Sequence, residues 1–256
     1  MKSGPSSVQA IYRYPVKGLS PQSLDRTSLA SRQTIPGDRL YAIENGTSGF
    51  DPAAPAYLPK QRFLMLMVNE RLAALRTDYD EATQSLVIYS SGEVIRGDLR
   101  TDAGRRTIES FFARYCADEL RGPPRVLYSL GHSFSDVARK VVSIINLDSI
   151  AALERVAGVA INPIRFRGNI YVTGWPPWHE FGLIGQTLEI GTIRLRVIKR
   201  IQRCAAIEVN PDSGIRDLPL PRILLKHFEH SDCGVYAEVI EGGNIQLGDS
   251  VHVSSS

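Results

Sequence analysis

The chain has 256 residues, 43% of them hydrophobic and 22% charged, with a formal net charge of +3. This is enough to bury the core of one large or two modest domains, and the mixed composition argues against global disorder. So small a charge gives no case for nucleic acid as the primary partner. Three cysteines without a CxxC pair argue against a disulfide framework or a cysteine-based zinc site and point to a reducing compartment.

Residues 1–7 are polar and lack the apolar centre of a signal peptide, and no apolar run approaches a membrane span. A soluble cytoplasmic protein with no membrane partner is expected. Residues 8–14 form a first strand pattern, stopped by Pro15. Strand-like runs follow at 24–29, 40–44, 71–76, 86–89 and 93–97, punctuated by Gly, Pro, Asn and Asp. Residues 47–59 are proline-rich, with Phe50 and Tyr57 interspersed. They read as a long loop, and a lid over a substrate entrance is the expectation.

Ile108, Phe111, Phe112 and Tyr115 recur at i, i+3, i+4 and i+7, which predicts an amphipathic helix over 105–117. Gly122, Pro123 and Pro124 then break the chain, and a domain boundary is placed there. An apolar strand at 141–145 leads into a helix over 146–156, N-capped by Asn146 or Asp148 and stopped by Gly158. Further strands are expected at 164–173, 187–190, 193–201 and 205–209, a short helix at 220–228, and last strands at 235–240, 245–246 and 251–253. Many short strands with few helices predict an α+β fold, mainly β and barrel-like.

Cys204 is the most informative residue. Lys199, Arg200 and Arg203 lie within five positions of it, and fixed positive charge favours the thiolate, which is both a nucleophile and a soft metal ligand. The same residues also read as a core cysteine in a strand with a basic wet face. Arg165, Arg167 and Asn169 fall on one face if residues 164–173 are a strand, and guanidinium forks match phosphate and carboxylate. Gly168 between them leaves room for a ligand to approach the backbone. Lys17 and Arg39 sit in turn-like settings and gain meaning only if the fold brings them to that face.

Other candidates carry less. His227 and His230 lack a third metal ligand. His132 reads either as loop polar chemistry or as nothing functional; the Trp175–Trp178 loop covers a pocket or plugs the core, structure being favoured over catalysis, and Glu180 is expected to hold an arginine. There is no phosphate-binding glycine loop and no nucleophile triad.

The ordered set of motifs resembles a known family. Arg165 to Ile170, Pro177-Trp178 with Glu180, Arg203-Cys204 with Asn210 to Gly214, and Gly234 to Val239 leading to Gly248-Asp249 resemble the MOSC domain found at the C-terminus of molybdenum cofactor sulfurases. Tyr14 to Ser20, Gly37 to Arg39 and Arg62 to Met67 look like the β-barrel domain that precedes it. The whole is similar to the mitochondrial amidoxime-reducing component and its bacterial relatives. The resemblance implies an N-terminal β-barrel-like domain over 8–122 and a MOSC β-barrel with peripheral helices over 123–253.

It further implies a molybdenum cofactor whose metal is ligated by Cys204. Lys17, Arg39, Arg165, Arg167, Asn169 and Arg203 would bind or line the site of the pterin and its phosphate. Asn146 falls where relatives often have a serine near the cofactor. The implied reaction is reduction of small N-hydroxylated substrates: amidoximes, hydroxylamines or base analogues. With no cluster-spaced cysteines, electrons are expected from a separate reductase. A non-catalytic carrier of the cofactor, or of sulfur on Cys204, is the alternative.

Overall fold

The computed structural model describes residues 5–254. In the first half, β1 (Ser7–Arg13), β2 (Gln22–Leu24), β3 (Arg26–Leu29) and β4 (Tyr41–Asn45) precede a meander of β5 (Arg76–Asp80), β6 (Ser85–Ser90) and β7 (Glu93–Asp98). Helix α1 (Asp102–Tyr115) and β8 (Pro124–Tyr128) follow. The second half contains β9 (Val142–Asn146), α2 (Leu147–Ala157), β10 (Ile170–Thr173), β11 (Thr187–Ile190), β12 (Ile193–Gln202), α3 (Leu220–Phe228), β13 (Asp232–Glu241), β14 (Gly243–Gln246) and β15 (Val251–Val253).

One sheet dominates, in the order β15-β11-β12-β13-β9-β10-β1-β2. Only β9 and β10 pair in parallel, and α2 makes their crossover. The sheet curls until its ends meet: Ser7 bridges Ser250, and Gly248 N donates to Val8 O at 2.8 Å. Inside it pack Val8, Ile11, Ile144, Val172, Leu195 and Val239, all at most 1% exposed. A second core lies in the first half, where α1 lays Ile108, Phe111 and Phe112 against the meander together with Leu64, Leu72 and Ile88. A third, smaller core sits between α2, α3 and the outer face of the curled sheet, around Leu153, Phe166 and Leu224.

The strand pairing crosses the expected boundary at 122/123. β1 and β2 belong to the sheet of the second half, and β8, just past the boundary, pairs with β4. Two lobes result, with the chain passing between them more than once. Helix ends match their local signals. The Asn146 side chain accepts from Asp148 N at 3.0 Å as the N-cap of α2, and Gly158 ends it at φ 72°.

Three expected strands turn out differently. Residues 70–74 and 205–208 are 3-10 turns. Residues 163–166 are a third, opened by the Asn162 side chain accepting from Ile164 N, with Pro163 in the first turn. Strand β10 begins only at Ile170.

Candidate functional site

Strand β12 ends at Gln202, and the chain stays extended through Cys204 (φ −114°, ψ 178°) before turning into residues 205–208. Arg203 N donates to Ser231 O at 2.8 Å, which fixes the exit from the strand. Cys204 is half-buried and lines a cavity of about 440 Å³ at the seam between the two lobes. The Lys60 ammonium donates to Cys204 Sγ at 3.3 Å.

Six other predicted residues, Lys17, Arg39, Arg165, Arg167, Asn169 and Arg203, line the same cavity. The route by which 165, 167 and 169 reach it differs from simple strand alternation. The 3-10 turn over 163–166 presents Arg165, and Arg167 then adopts a left-handed conformation (φ 50°), which restores its direction. Arg165 pairs with Asp217 at 2.7 Å and donates to Glu208 O, yet its Nε is buried without a partner. Arg167 donates to Leu19 O at 2.9 Å and lies 4.2 Å from the centre of the Tyr14 ring. Arg39 lies 4.6 Å from the same centre, pairs with Asp38 at 2.5 Å and donates to Arg167 O. Burial alone would weaken Arg39 as a base, but the adjoining Asp38 carboxylate holds it above its ordinary value. Arg167 has no such carboxylate, and burial pulls it down.

Arg203 and Asn169 act as struts. Arg203 gives its nitrogens to Cys233 O and Phe166 O, tying the 163–166 turn to β13. The Asn169 carboxamide accepts from Ser143 N and Oγ and donates to Tyr12 O, so its polar atoms are committed to the protein. Another clasp holds the segment after Cys204: Arg216 donates to Ala205 O on one side and to Met67 O and Glu70 on the other.

Several expectations are corrected. Asn146 does not reach the cavity: it is fully buried and donates to Glu180 Oε2 and Pro176 O, both at 2.9 Å, because its place at the end of β9 makes it the cap of α2. Glu180 holds no arginine. It accepts from Asn146 and from Ser149 Oγ, and burial raises its pKa. Gly168 leaves no opening for a ligand, since a Cβ there would lie 2.3 Å from Ile145 Cγ1. Gly168→Ala is expected to cost about 1–2 kcal/mol through overpacking. Thermal unfolding checks this, and pairing it with Ile145→Ala should cost less than the two single changes added together. His230 is packed among Trp178, Phe181 and Phe228 and accepts from Asp232 N. Among the described residues no cluster of three or more His, Cys, Asp or Glu is arranged to hold a metal.

Sequence reasoning missed Lys60 and Asp136. Lys60 follows the proline-rich loop, a position that is a signal in itself. That loop is tied to the segment containing Asp136 by Tyr57 Oη donating to Asp136 O and by the Phe50 ring against Phe134. Asp136 accepts from Lys17 Nζ at 2.5 Å, and Lys17 also donates to Phe134 O.

The pair is unequal. The Lys17 side chain is 6% exposed, and burial lowers its pKa despite Asp136. The Asp136 side chain is 52% exposed within the cleft, though surrounded by protein atoms. Burial alone would raise its pKa, but Lys17 holds the carboxyl well below the usual range. The lowered lysine disfavours folding below its folded pKa, a penalty relieved as pH rises towards the ordinary lysine value. Asp136 acts in the same direction in a lower pH window: its stabilisation is present above the ordinary carboxylate range and lost as pH falls below it. Lys17→Met is therefore expected to be neutral to about 2 kcal/mol more stable at pH 7, because water can reach the carboxylate left behind. It should also lose stability less steeply in acid, and urea unfolding at both pH values checks this.

Comparison with known proteins fits this geometry. Residues 129–252 match the family model of the MOSC domain. The YuaD protein of Bacillus subtilis shares the fold over 99% of this chain and 97% of its own, at 15% identity and a TM-score of 0.50. YiiM of Geobacillus stearothermophilus aligns with 44% of this chain and 54% of its own, at 18% identity and a TM-score of 0.36. YiiM of Escherichia coli aligns with 45% of this chain and 54% of its own, at 16% identity and a TM-score of 0.34. No curated protein matches the chain. Among the described residues no helix is long and apolar enough to cross a membrane. MOSC domains are associated with molybdenum-cofactor binding. The fold is thus mainly β over the described residues, and residues 129–252, which carry Cys204, match the model of the MOSC domain.

Proposed function

We propose that the protein is a molybdenum-cofactor-dependent oxidoreductase that reduces N-hydroxylated compounds. The observation that carries this reading is a single thiol, Cys204, in a strongly cationic cavity at the lobe seam. The donor set suits that cofactor. One soft sulfur, with no cluster of three or more His, Cys, Asp or Glu among the described residues, fits a metal that brings its own sulfur ligands better than a bare ion. The buried, unpartnered Arg165 Nε is a donor in want of an anion, as the cofactor's phosphate would be.

When bound, the cofactor would supply the two-electron chemistry that cleaves an N–O bond. The net reaction turns R–NHOH, two electrons and two protons into R–NH₂ and water, the electrons coming from a separate reductase. Cys204 would anchor the metal. Arg165 and Arg167 would hold the phosphate, while Arg39, Lys17 and Asn169 would line the pterin side. Arg203 keeps the 163–166 turn in register with Cys204 by its bonds to Phe166 O and Cys233 O. The aromatic loop before Lys60 would shield the reacting group from water.

Protein purified from molybdate-supplied cells is expected to contain molybdenum and pterin in near-equal amounts. It should consume benzamidoxime or hydroxylaminopurine with an artificial electron donor. Metal-loaded protein without turnover would identify a carrier instead, and protein without metal would overturn the reading.

A further inference from the structure

The cavity holds more positive charge than its own carboxylates balance. Eight cationic side chains and two carboxylates line it, in a chain whose net charge is only +3. Most of the cations are already matched. The inner ones are paired with Asp136, Asp38 or Asp217, or spent on main-chain carbonyls. Arg200, farther out, lies 4.4 Å from the Phe181 ring centre, with Asp232 at 3.9 Å.

Two cations remain. Lys60 donates only to Cys204 Sγ, and Lys199 Nζ lies 5.9 Å from the Tyr236 ring centre. Among the described residues neither forms an ion pair with a carboxylate. They come from different lobes: Lys60 follows the aromatic loop, and Lys199 is on β12. The same cavity also has an apolar lining, with Met65, Leu66, Val141 and Ile207 each at most 8% exposed. A lysine ammonium is a strongly hydrated point charge, and in a cleft its natural complement is a carboxylate or phosphate oxygen. Methionine beside leucine and isoleucine accommodates a flat apolar body.

We infer that this outer part of the cavity is a subsite for an anionic small molecule, a planar apolar body bearing a carboxylate or phosphate that Lys199 and Lys60 hold beside Cys204. The inference rests on the reading of the inner cavity as the cofactor site, and it names the substrate class that site would turn over. Lys60 marks the inner end of the subsite at the sulfur, and Lys199 marks the outer end.

The test uses full-length protein from molybdate-supplied cells. Benzoate, phenyl phosphate and neutral benzamide are titrated against it by calorimetry. Benzoate or phenyl phosphate should bind at least tenfold more tightly than benzamide, and whichever binds better identifies the anion. Lys199→Glu should abolish the preference without changing molybdenum content or melting temperature. Lys199→Arg should keep it, and Lys199→Gln gives a second reading if the glutamate variant is poorly folded. In turnover, the ratio of kcat/KM for 4-carboxybenzamidoxime to that for benzamidoxime should fall about tenfold in Lys199→Glu. Equal binding of benzoate, phenyl phosphate and benzamide, or a preference that survives Lys199→Glu, overturns the inference. The binding arm reads out without turnover, so an inactive protein that prefers anions would count against the proposed reaction and not against the subsite.

Discussion

Cys204→Ala is expected to give a folded protein that purifies without molybdenum and without N-hydroxylated-compound reductase activity. Cys204 is the thiol that lines the cavity, and the other two cysteines cannot replace it. Cys116 is 2% exposed in the core of the first lobe and Cys233 is fully buried on β13. Burial pushes both thiols up to about 12, so neither presents a thiolate near neutral pH. Loss of a ligand itself should exceed the roughly 10–100-fold penalty typical of outer partners. Cys204→Ser should behave the same way, because a hydroxyl is a hard donor that stays protonated. Stability should change by no more than about 0.5 kcal/mol, since the side chain is only half-buried and fills no core space. Metal analysis beside thermal unfolding separates loss of the site from loss of the fold, with Cys116→Ala as the metal-loaded control. Retention of full metal content in Cys204→Ala would remove the sulfur from the site.

Gly104→Ala is expected to have the largest effect on the fold. Gly104 lies in the first turn of α1, where alanine would by propensity be favourable by about 1 kcal/mol. Here a Cβ would lie 2.1 Å from Asp98 O and 2.5 Å from Asp98 N, both backbone atoms that cannot rotate away. Facing it, a Cβ at Gly97 would lie 2.5 Å from Gly104 O. The two glycines let α1 settle on β7 at main-chain distance, which is how Ile108 and Phe112 reach full burial. Adding a methyl must lift the helix, at a cost of about 3 kcal/mol, the upper end for overpacking. For a chain of this size that corresponds to a fall in Tm of roughly 6–12 °C. Calorimetry measures it, and an unchanged Tm would mean that helix and strand are farther apart than the structure has them.

What was legible in the sequence was mostly local. Helix α3 is bounded where the apolar spacing of Leu220, Ile223, Leu224 and Phe228 bounds it, and α2 starts and stops at its own cap residues. The cations around Cys204 were visible as a cluster because strand β12 carries them in sequence. The 163–166 turn was misread as strand because apolar and basic residues alternate there, while Asn162 followed by Pro163 is itself a turn-opening signal. The contacts of Lys60 and Asp136 were beyond reach. Their partners, Cys204 and Lys17, lie 144 and 119 residues away, and no local pattern encodes contacts at that separation. Asn146 shows the converse failure. Family position placed it at the cofactor, whereas the local demand for a helix cap had already claimed its side chain.

The pairing of β1 with β10 also bears on how the chain emerges from the ribosome. The Asn169 carboxamide that clasps Tyr12 O is made 157 residues later than its partner, an interval of about 8–30 s at ordinary translation rates. Throughout that wait β1 can pair only with β2, and the apolar side chains of Val8 and Ile11 lack the strands of the second half that bury them. The first lobe can assemble meanwhile around α1, but the β1 edge that β10 will take stays unpaired until β10 is made, which makes early chaperone contact with this strand a built-in demand of the topology.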